Sequence, residues 1–431
     1  MTKKSKKYTW LTIAVVVLGL SIWAYDRWDV WFYNPPEEPY TPANVPSRVL
    51  LTFGNDGEQS RMVSWMCDDK VDADAMLLLA DSTDTVTIKA IGEVFESRAG
   101  KAAFYRAEMK NLKAEHTYSY AVKTNGTLSK WYRFTTTNPE SKSFSFLYMG
   151  DVQDTINGVA NKLLIQAVAR HPEVEFVAFG GDLIERPTDA YYAETFRSLD
   201  SVCTAMPVVN VTGNHDYLKY LIRKCERRFA LTFPYFLKGM EERGDDNHLF
   251  SFVYHDTQFF LLDSDRGAYF LNQQKKWLKE QFDESKAAHK IVLLHHPLYS
   301  VKKKNNNLVE RWMFDDAIQD AGVELVLQGH EHAYTHCTSS EEPLKTNECT
   351  TPPLYVISHC SPKNYSIHPT ERFYPVVQGS RYYQIISVDA EAVTMKAYDA
   401  NTQTLVDSVR ICKARTGGQK VIIKSEICKY F

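Results

Sequence analysis

The sequence predicts an α/β (α+β) fold, in which a two-sheet sandwich is flanked by helices and is preceded by an all-β sandwich and an N-terminal transmembrane helix. Uncharged and mostly apolar residues fill positions 8–25. Short runs of alternating apolar and polar residues, typical of half-buried strands, follow from about residue 45 to residue 137. From residue 143 onward, strand-like runs alternate with helical runs at 157–170, 271–282 and 309–321, which indicates an α/β body.

The first 33 residues are predicted to be a membrane anchor. Four lysines within the first seven residues precede the apolar stretch 8–25, whose length is near the lower limit of about 17 residues for a span. The stretch is longer than the apolar core of most cleaved signals and lacks a small-residue cleavage site. Lysines before the span and Asp26 after it place the following domains outside the cytoplasm, in the periplasm or the extracellular space. A removed signal sequence stays open as the alternative.

The remaining chain divides into four segments. Residues 34–44 form a proline-rich linker, which we expect to be extended and to hold the body away from the membrane. We assign residues 45–137 to the all-β sandwich, 143–411 to the α/β domain and 412–431 to a C-terminal tail.

Composition restricts the partners and the redox chemistry. The net charge of -3 gives no basic surface, so we expect no nucleic-acid partner. Eight cysteines are compatible with disulfides, for example between Cys337 and Cys349, and equally with free buried thiols.

Five short polar motifs follow apolar runs of the α/β region. They begin at Asp151, Gly181, Gly213, His295 and Gly329. Because ligands gather at the carboxyl ends of strands in such sheets, we expect these motifs to lie together. Carboxylate and amide oxygens combined with imidazoles suit Fe, Mn or Zn. The strand-end side chains that suit a metal are Asp151, Asp182, Asn214, His295, His330 and His332.

The order of these motifs resembles that of the calcineurin-like metallophosphoesterase superfamily. Residues 45–410 resemble its purple acid phosphatase-like branch, in which a fibronectin type III-like domain precedes the catalytic domain. Leu-Asp-Ser-Asp at 262–265, Gly-His-Glu-His-Ala-Tyr at 329–334 and Trp65 carry this closer resemblance. It implies a hydrolase of phosphate monoesters that acts on a phosphorylated small molecule with two divalent or trivalent metal ions, of Fe, Mn or Zn.

The resemblance also implies a division of the ligands between two ions. Asp182 bridges both ions. The first ion is also bound by Asp151, Gln153 and His332. The second ion is also bound by Asn214, His295 and His330.

Four further residues receive roles from the resemblance. A metal-bound hydroxide would attack phosphorus in line, and His215 would protonate the leaving group. Asp216 is the candidate for orienting His215, and a turn residue is the alternative. His296 or Tyr299 would contact the substrate phosphate, and ordinary packing is the alternative.

Two positions depart from the family pattern. Gln153 replaces a histidine that many members have, and a neutral amide is a weaker metal ligand than imidazole. Glu185 replaces the tyrosine of the purple enzymes, so no purple iron chromophore is expected. Two other functions stay open: a phosphodiesterase or nucleotide hydrolase of the same superfamily, and a membrane-anchored binding protein with a structural metal site.

Overall fold

The structure is a computed structural model that describes residues 3–82, 84–235, 248–302, 307–345, 349–413 and 420–424. It begins with helix α1 (Lys3–Phe32). Over Trp10–Asp29 this helix is long and apolar enough to cross a membrane, the only one of the described helices to be so, and none of that segment is buried. Such a helix near the N-terminus serves as a membrane anchor or as a signal sequence.

An all-β sandwich follows, as the alternating pattern predicts. Its strands are β1 (Ser47–Gly54), β2 (Gly57–Cys67), β3 (Met76–Ala80), β4 (Thr85–Lys89), β5 (Ile91–Glu96), β6 (Lys101–Met109), β7 (Thr117–Thr124), β8 (Thr127–Leu128) and β9 (Tyr132–Thr135). One sheet has the order β1-β2-β6-β5, and the other has β4-β3-β7-β8 with β9 paired to β7. Between the sheets, Trp65 stacks on Tyr105 and donates a hydrogen bond to Thr124 over 2.8 Å.

The second domain contains five helices within the described residues. They are α2 (Ala160–Arg170), α3 (Asp189–Cys203), α4 (Arg228–Thr232), α5 (Ala268–Glu284) and α6 (Leu308–Asp320). The helices α2, α5 and α6 confirm the three predicted helical runs. Helix α3 was not predicted, although its buried residues Tyr192, Phe196 and Leu199 have helical spacing.

The strands of this domain form two facing sheets and a small hairpin. They are β10 (Phe144–Met149), β11 (Val174–Phe179), β12 (Val208–Asn210), β13 (Tyr217–Leu218), β14 (Lys224–Cys225), β15 (Phe250–Tyr254), β16 (Thr257–Leu261), β17 (His289–Leu293), β18 (Leu325–Gln328), β19 (Tyr334–Cys337), β20 (Cys349–Thr350), β21 (Leu354–Ile357), β22 (Val376–Val377), β23 (Tyr382–Val388), β24 (Ala392–Asp399), β25 (Leu405–Lys413) and β26 (Lys420–Lys424). The order is β12-β11-β10-β23-β24-β25-β26-β20 in one sheet and β15-β16-β17-β18-β21-β19-β22 in the other. The sandwich flanked by helices is therefore confirmed.

Two features of this domain concern expectations from the sequence: the extent of the C-terminal tail and the state of the cysteines. Strand β26 pairs with β25, so this part of the expected tail belongs to the sheet. Among the described side chains Cys337 is a free buried thiol, and the side chain of Cys349, the partner considered for it, lies outside them. Cys428 lies outside the described residues.

Parallel strands in both sheets position the candidate ligands. Strands β10, β11 and β12 run parallel, with Met149 beside Phe179 and Phe179 beside Asn210. In the facing sheet β17 and β18 are parallel, with Leu293 beside Leu327. The phenylalanines of the two sheets pack closely against each other, as the centroid distance of 5.3 Å between Phe146 and Phe259 shows. All five motifs therefore begin at the carboxyl ends of these strands.

The proline-rich linker, which we expect to be extended, is hydrogen-bonded to the body. The side chain of Asn34 donates to the carbonyl of Lys219 over 2.8 Å and accepts from the amide of Lys219 over 2.7 Å. Glu37 is buried and bound to Arg228 over 2.8 Å. These contacts could not be predicted from the sequence, because prolines restrict the backbone of the linker but say nothing about the partners of its other residues.

Candidate metal centre

All seven candidate ligands lie in the loops that follow the parallel strands. Asp151 and Gln153 follow β10, Asp182 follows β11, and Asn214 follows β12. The histidines follow β17 and β18: His295, His330 and His332. Five of these side chains are almost fully buried, and Asn214 and His330 are half-buried. Ligand atoms of Asp151, Asp182 and His295 lie within 4.8 Å of one another.

One half of the cluster contains the residues assigned to the first ion. The Nε2 atom of His332 lies 3.3 Å from Oδ1 of Asp151 and 3.1 Å from the side-chain nitrogen of Gln153. Nδ1 of His332 donates to the carbonyl of Lys363 over 3.0 Å. Because this bond fixes the ring tautomer, Nε2 is left with its lone pair toward Asp151 and Gln153.

The other half contains the residues assigned to the second ion. Oδ1 of Asn214 lies 2.9 Å from Nδ1 of His330 and 3.4 Å from Nε2 of His295. The two imidazole nitrogens are 3.3 Å apart. Nδ1 of His295 donates to the carbonyl of Gly180 over 2.9 Å, which leaves the lone pair of Nε2 toward Asn214. Oδ2 of Asp182 lies 3.3 Å from this Nε2.

The polar atoms of this cluster fit bound cations. Among the described residues, Oδ1 of Asp151 and Oε1 of Gln153 are buried without a hydrogen-bond partner. A buried oxygen without a partner is costly, and a cation beside it removes that cost. Hard oxygens and imidazole nitrogens together form a donor set for Fe, Mn or Zn. The seven residues are therefore suited to hold metal.

The backbone at the ligands is unusual, as is common at functional sites. Four ligands have positive φ angles: Asp151 (41°), Asp182 (48°), His330 (69°) and His332 (47°). Glycines allow the loops to approach each other, because a Cβ at position 213 would collide with Asp182 and one at position 329 would collide with Asp151. The glycines in the motifs therefore follow from close packing around the carboxylates.

Opposite charges couple Asp182 and His295. Burial alone would raise the pKa of Asp182, but His295 and His215 hold it below its usual value. Burial alone would lower the pKa of His295, but Asp182 and the neighbouring carboxylates raise it to about 10. The carboxylates around His295 therefore stabilise positive charge at this position, which favours a bound cation.

His215 lies at the edge of the cluster with one ring nitrogen fixed. Its Nδ1 donates to the carbonyl of Glu185, and its Nε2 lies 3.9 Å from Oδ2 of Asp182. The backbone amide of His215 also donates to Oδ1 of Asp182 over 2.8 Å. The side chain of His215 is 22% exposed. Solvent and small molecules can therefore reach this ring.

Asp216 does not occupy the orienting position considered for it. Its Oδ2 accepts a hydrogen bond from the amide of Gly213 over 2.9 Å, which closes the turn. Burial raises the pKa of Asp216 to about 8. The structure thus gives Asp216 the turn role, and the carbonyl of Glu185 orients His215 because it occupies the Nδ1 side of the ring.

The two candidate substrate-binding residues have different surroundings. His296 packs against the ring of His330, with centroids 4.4 Å apart, and lies within hydrogen-bond distance of Ser264. Tyr299 is buried and donates to Asp315 over 2.8 Å, while Arg311 covers its ring. The structure brings His296 to the metal centre, whereas the hydroxyl of Tyr299 is engaged elsewhere.

Three residues near the centre lie outside the strand-end motifs. Lys363 bridges both carboxylate oxygens of Glu185 at 2.7 Å. Tyr365 packs against His332, with centroids 4.3 Å apart, and the Lys302 ammonium lies over the Tyr365 ring. Lys363 and Tyr365 come from loops without a strand-end motif, so no sequence pattern marks them, whereas Lys302 begins a run of three lysines that could attract an anionic substrate.

A cleft of about 380 Å³ opens beside His215. Its inner wall includes Asn214, His215 and Glu185, and its outer wall includes Asn34 of the linker and Lys219. The docked linker therefore forms part of the opening next to the candidate metal centre.

Two family models match parts of this chain. A family model described as calcineurin-like phosphoesterase matches residues 144–334, which include all seven candidate ligands. A second model, the purple acid phosphatase N-terminal domain, matches residues 46–136. Among solved structures, the chain is similar to one titled "GAP50 the anchor in the inner membrane complex of Plasmodium". That similarity has 13% sequence identity and a TM-score of 0.43, and it covers 62% of this chain and 88% of the other.

Proposed function

We propose that this chain, which belongs to the purple acid phosphatase-like metallophosphoesterases, hydrolyses phosphate monoesters with two bound metal ions. The seven candidate ligands are proposed to hold the ions, with Asp182 shared between them. When bound, such ions activate a water molecule and neutralise phosphoryl oxygens.

The position of His215 carries the proposal for catalysis. A structural metal site needs no partly exposed imidazole beside it, whereas ester cleavage needs an acid for the departing oxygen. His215 is exposed to the cleft and tethered by its amide to Asp182. Because Nδ1–H donates to the carbonyl of Glu185, Nε2 is the ring nitrogen that exchanges a proton, and the imidazolium form of His215 would deliver that proton from Nε2 to the leaving group.

Other residues of the chain keep this arrangement fixed. The carbonyls of Gly180 and Lys363 hold His295 and His332 in the tautomers that present Nε2 to the centre. The Lys363 ammonium neutralises Glu185, whose carbonyl positions His215. Parallel strands and short loops limit movement of the ligands, so little ordering is needed when substrate binds.

The same proposal includes a location. The helix over Trp10–Asp29 is proposed to remain as an anchor, with the preceding lysines in the cytoplasm and the catalytic domain outside it. Mass spectrometry of the mature chain and protease treatment of intact cells test this. Loss of the N-terminal helix, or protection of the catalytic domain in intact cells, would contradict it.

Activity is tested on the purified full chain in detergent. We expect hydrolysis of a chromogenic phosphomonoester from about pH 5 to about pH 9 when Mn, Zn or Fe is supplied, and loss of turnover with EDTA. The corresponding bis-ester is assayed in parallel. Faster cleavage of the bis-ester would show that the chain is a phosphodiesterase and not a phosphomonoesterase. Two bound metals without turnover of either ester would favour a binding protein.

A further inference from the structure

We propose that the hairpin tip formed by residues 219–223 is a second membrane contact, and that it holds the cleft beside His215 at the bilayer surface. The tip connects β13 to β14, whose pairing of Leu218 with Lys224 fixes the base of the hairpin. The occupant that we propose for this surface is the headgroup and upper acyl region of a phospholipid bilayer.

The first argument is the exposure of three consecutive apolar side chains. Tyr220 is 50% exposed, Leu221 is 90% exposed and Ile222 is 83% exposed. A cluster of apolar side chains on a surface marks an interaction site more often than a single exposed residue does. Leu221 and Ile222 make little contact with their own domain, so they are free to enter another apolar phase.

The second argument is the position of the tip relative to the anchor helix. A span of 20 residues over Trp10–Asp29 is about 30 Å long, which equals the thickness of the hydrocarbon core. Phe32, the last residue of the helix, then lies about 5 Å above that core, at the level of the headgroups. Asn34 lies two residues after Phe32 and makes two hydrogen bonds with Lys219. Leu221, two residues from Lys219, is at most about 7 Å from it.

The third argument is the charge around the tip. Lys219 lies on one side of the apolar residues, and Arg223 and Lys224 lie on the other. Apolar residues flanked by lysine and arginine are typical of segments that lie in the interface of a membrane with anionic lipids. Both the exposed apolar side chains and the flanking positive charges of the hairpin tip therefore suit a bilayer surface.

The consequence for the cleft rests on the proposed function. Lys219 and Leu218 of the same hairpin line the cleft together with Asn34 and His215. If the tip enters the headgroup region, the cleft opens toward headgroups. The substrates then include phosphomonoesters carried on lipids, whose phosphate lies at this level while their acyl chains stay in the bilayer.

The test places an environment-sensitive fluorophore on the full chain in bilayer nanodiscs that contain anionic lipid. Leu221→Cys carries the probe, and Ile222→Cys is a second site in case the first variant misfolds. Tyr269→Cys on α5 is the matched control, because Tyr269 is 77% exposed. Labelling of the unsubstituted chain measures the background from native cysteines.

We expect the probe at position 221 or 222 to emit at shorter wavelength and to be quenched by lipids with brominated acyl chains. The probe at position 269 should show neither effect. Equal behaviour of the probes at the tip and at 269 would overturn the proposal, whether both are quenched or neither is. This readout needs no catalytic activity, so its failure is distinguishable from failure of the proposed function.

A second readout concerns the substrate. Leu221→Ser combined with Ile222→Ser should lower the ratio of turnover on a lipid-borne phosphomonoester to turnover on a soluble one, whereas Tyr269→Ser should leave that ratio unchanged. An unchanged ratio in the double variant would overturn the inferred substrate class. If neither ester is hydrolysed by the unsubstituted chain, the proposed function fails, and the fluorescence result still decides the membrane contact.

Discussion

Glu37→Gln is expected to release the linker from the catalytic domain. One carboxylate oxygen of Glu37 accepts from Arg228 over 2.8 Å and from the amide of Asp189 over 2.8 Å. The side chains of Glu37 and Arg228 are 1% and 0% exposed. Glutamine keeps an acceptor oxygen and the volume of the side chain, but it removes the charge that balances Arg228.

The magnitude follows from burial of the ion pair. Removing one partner of a buried pair costs about 3 to 5 kcal/mol, and the lower end applies because Glu226 remains 3.1 Å from Arg228. A cost of about 3 kcal/mol increases the equilibrium constant for local opening roughly 100-fold. The amide of Asp189 should therefore exchange its hydrogen roughly 100-fold faster.

Hydrogen exchange followed by mass spectrometry measures this opening in the full chain. Glu38→Gln is the matched control, because Glu38 is adjacent and exposed. We expect faster exchange at the start of α3 and in the linker for Glu37→Gln only. Equal exchange in the two variants would show that the buried pair does not hold the linker, and the reasoning would be refuted.

Three further predictions concern the metal centre. Asp182→Asn should abolish both metal binding and hydrolysis, measured by elemental analysis and ester assay; a variant that keeps both metals would exclude the bridging role. His215→Ala should keep the bound metal but slow turnover by about 10² to 10⁴. The control His116→Ala in the N-terminal sandwich should leave turnover unchanged. Full activity of His215→Ala would show that His215 is not the acid. Gln153→His should tighten binding of one ion in calorimetric titration, and an unchanged titration would show that Gln153 is not a ligand.

Much of the fold could be predicted because it depends on local patterns. Alternation with period two identified the N-terminal sandwich, and apolar runs followed by polar tips identified strands β10, β11, β12, β17 and β18. A strand fixes the direction of the chain, so ligands such as Asp151 and Asp182 at successive strand ends had to meet at one edge of the sheets.

Other features depend on contacts between distant segments. Asp216 follows His215 in sequence, yet the turn directs its carboxylate to Gly213, and the carbonyl of Glu185 occupies the orienting position. Lys363 reaches Glu185 across 178 positions, which no local pattern encodes. Such pairings are selected by packing and by the requirement that buried polar groups find partners.

Local patterns in the sequence suffice to predict the classes of the two domains, the carboxylates and histidines at the strand ends and the apolar N-terminal helix, because each depends on a period or on a residue type that follows a strand. The docking of the linker through Glu37 and the exposure of Leu221 at the hairpin tip beside Asn34 are visible only in the folded chain. The physical reason is that burial of one charge and exposure of one apolar side chain depend on neighbours far away in the chain.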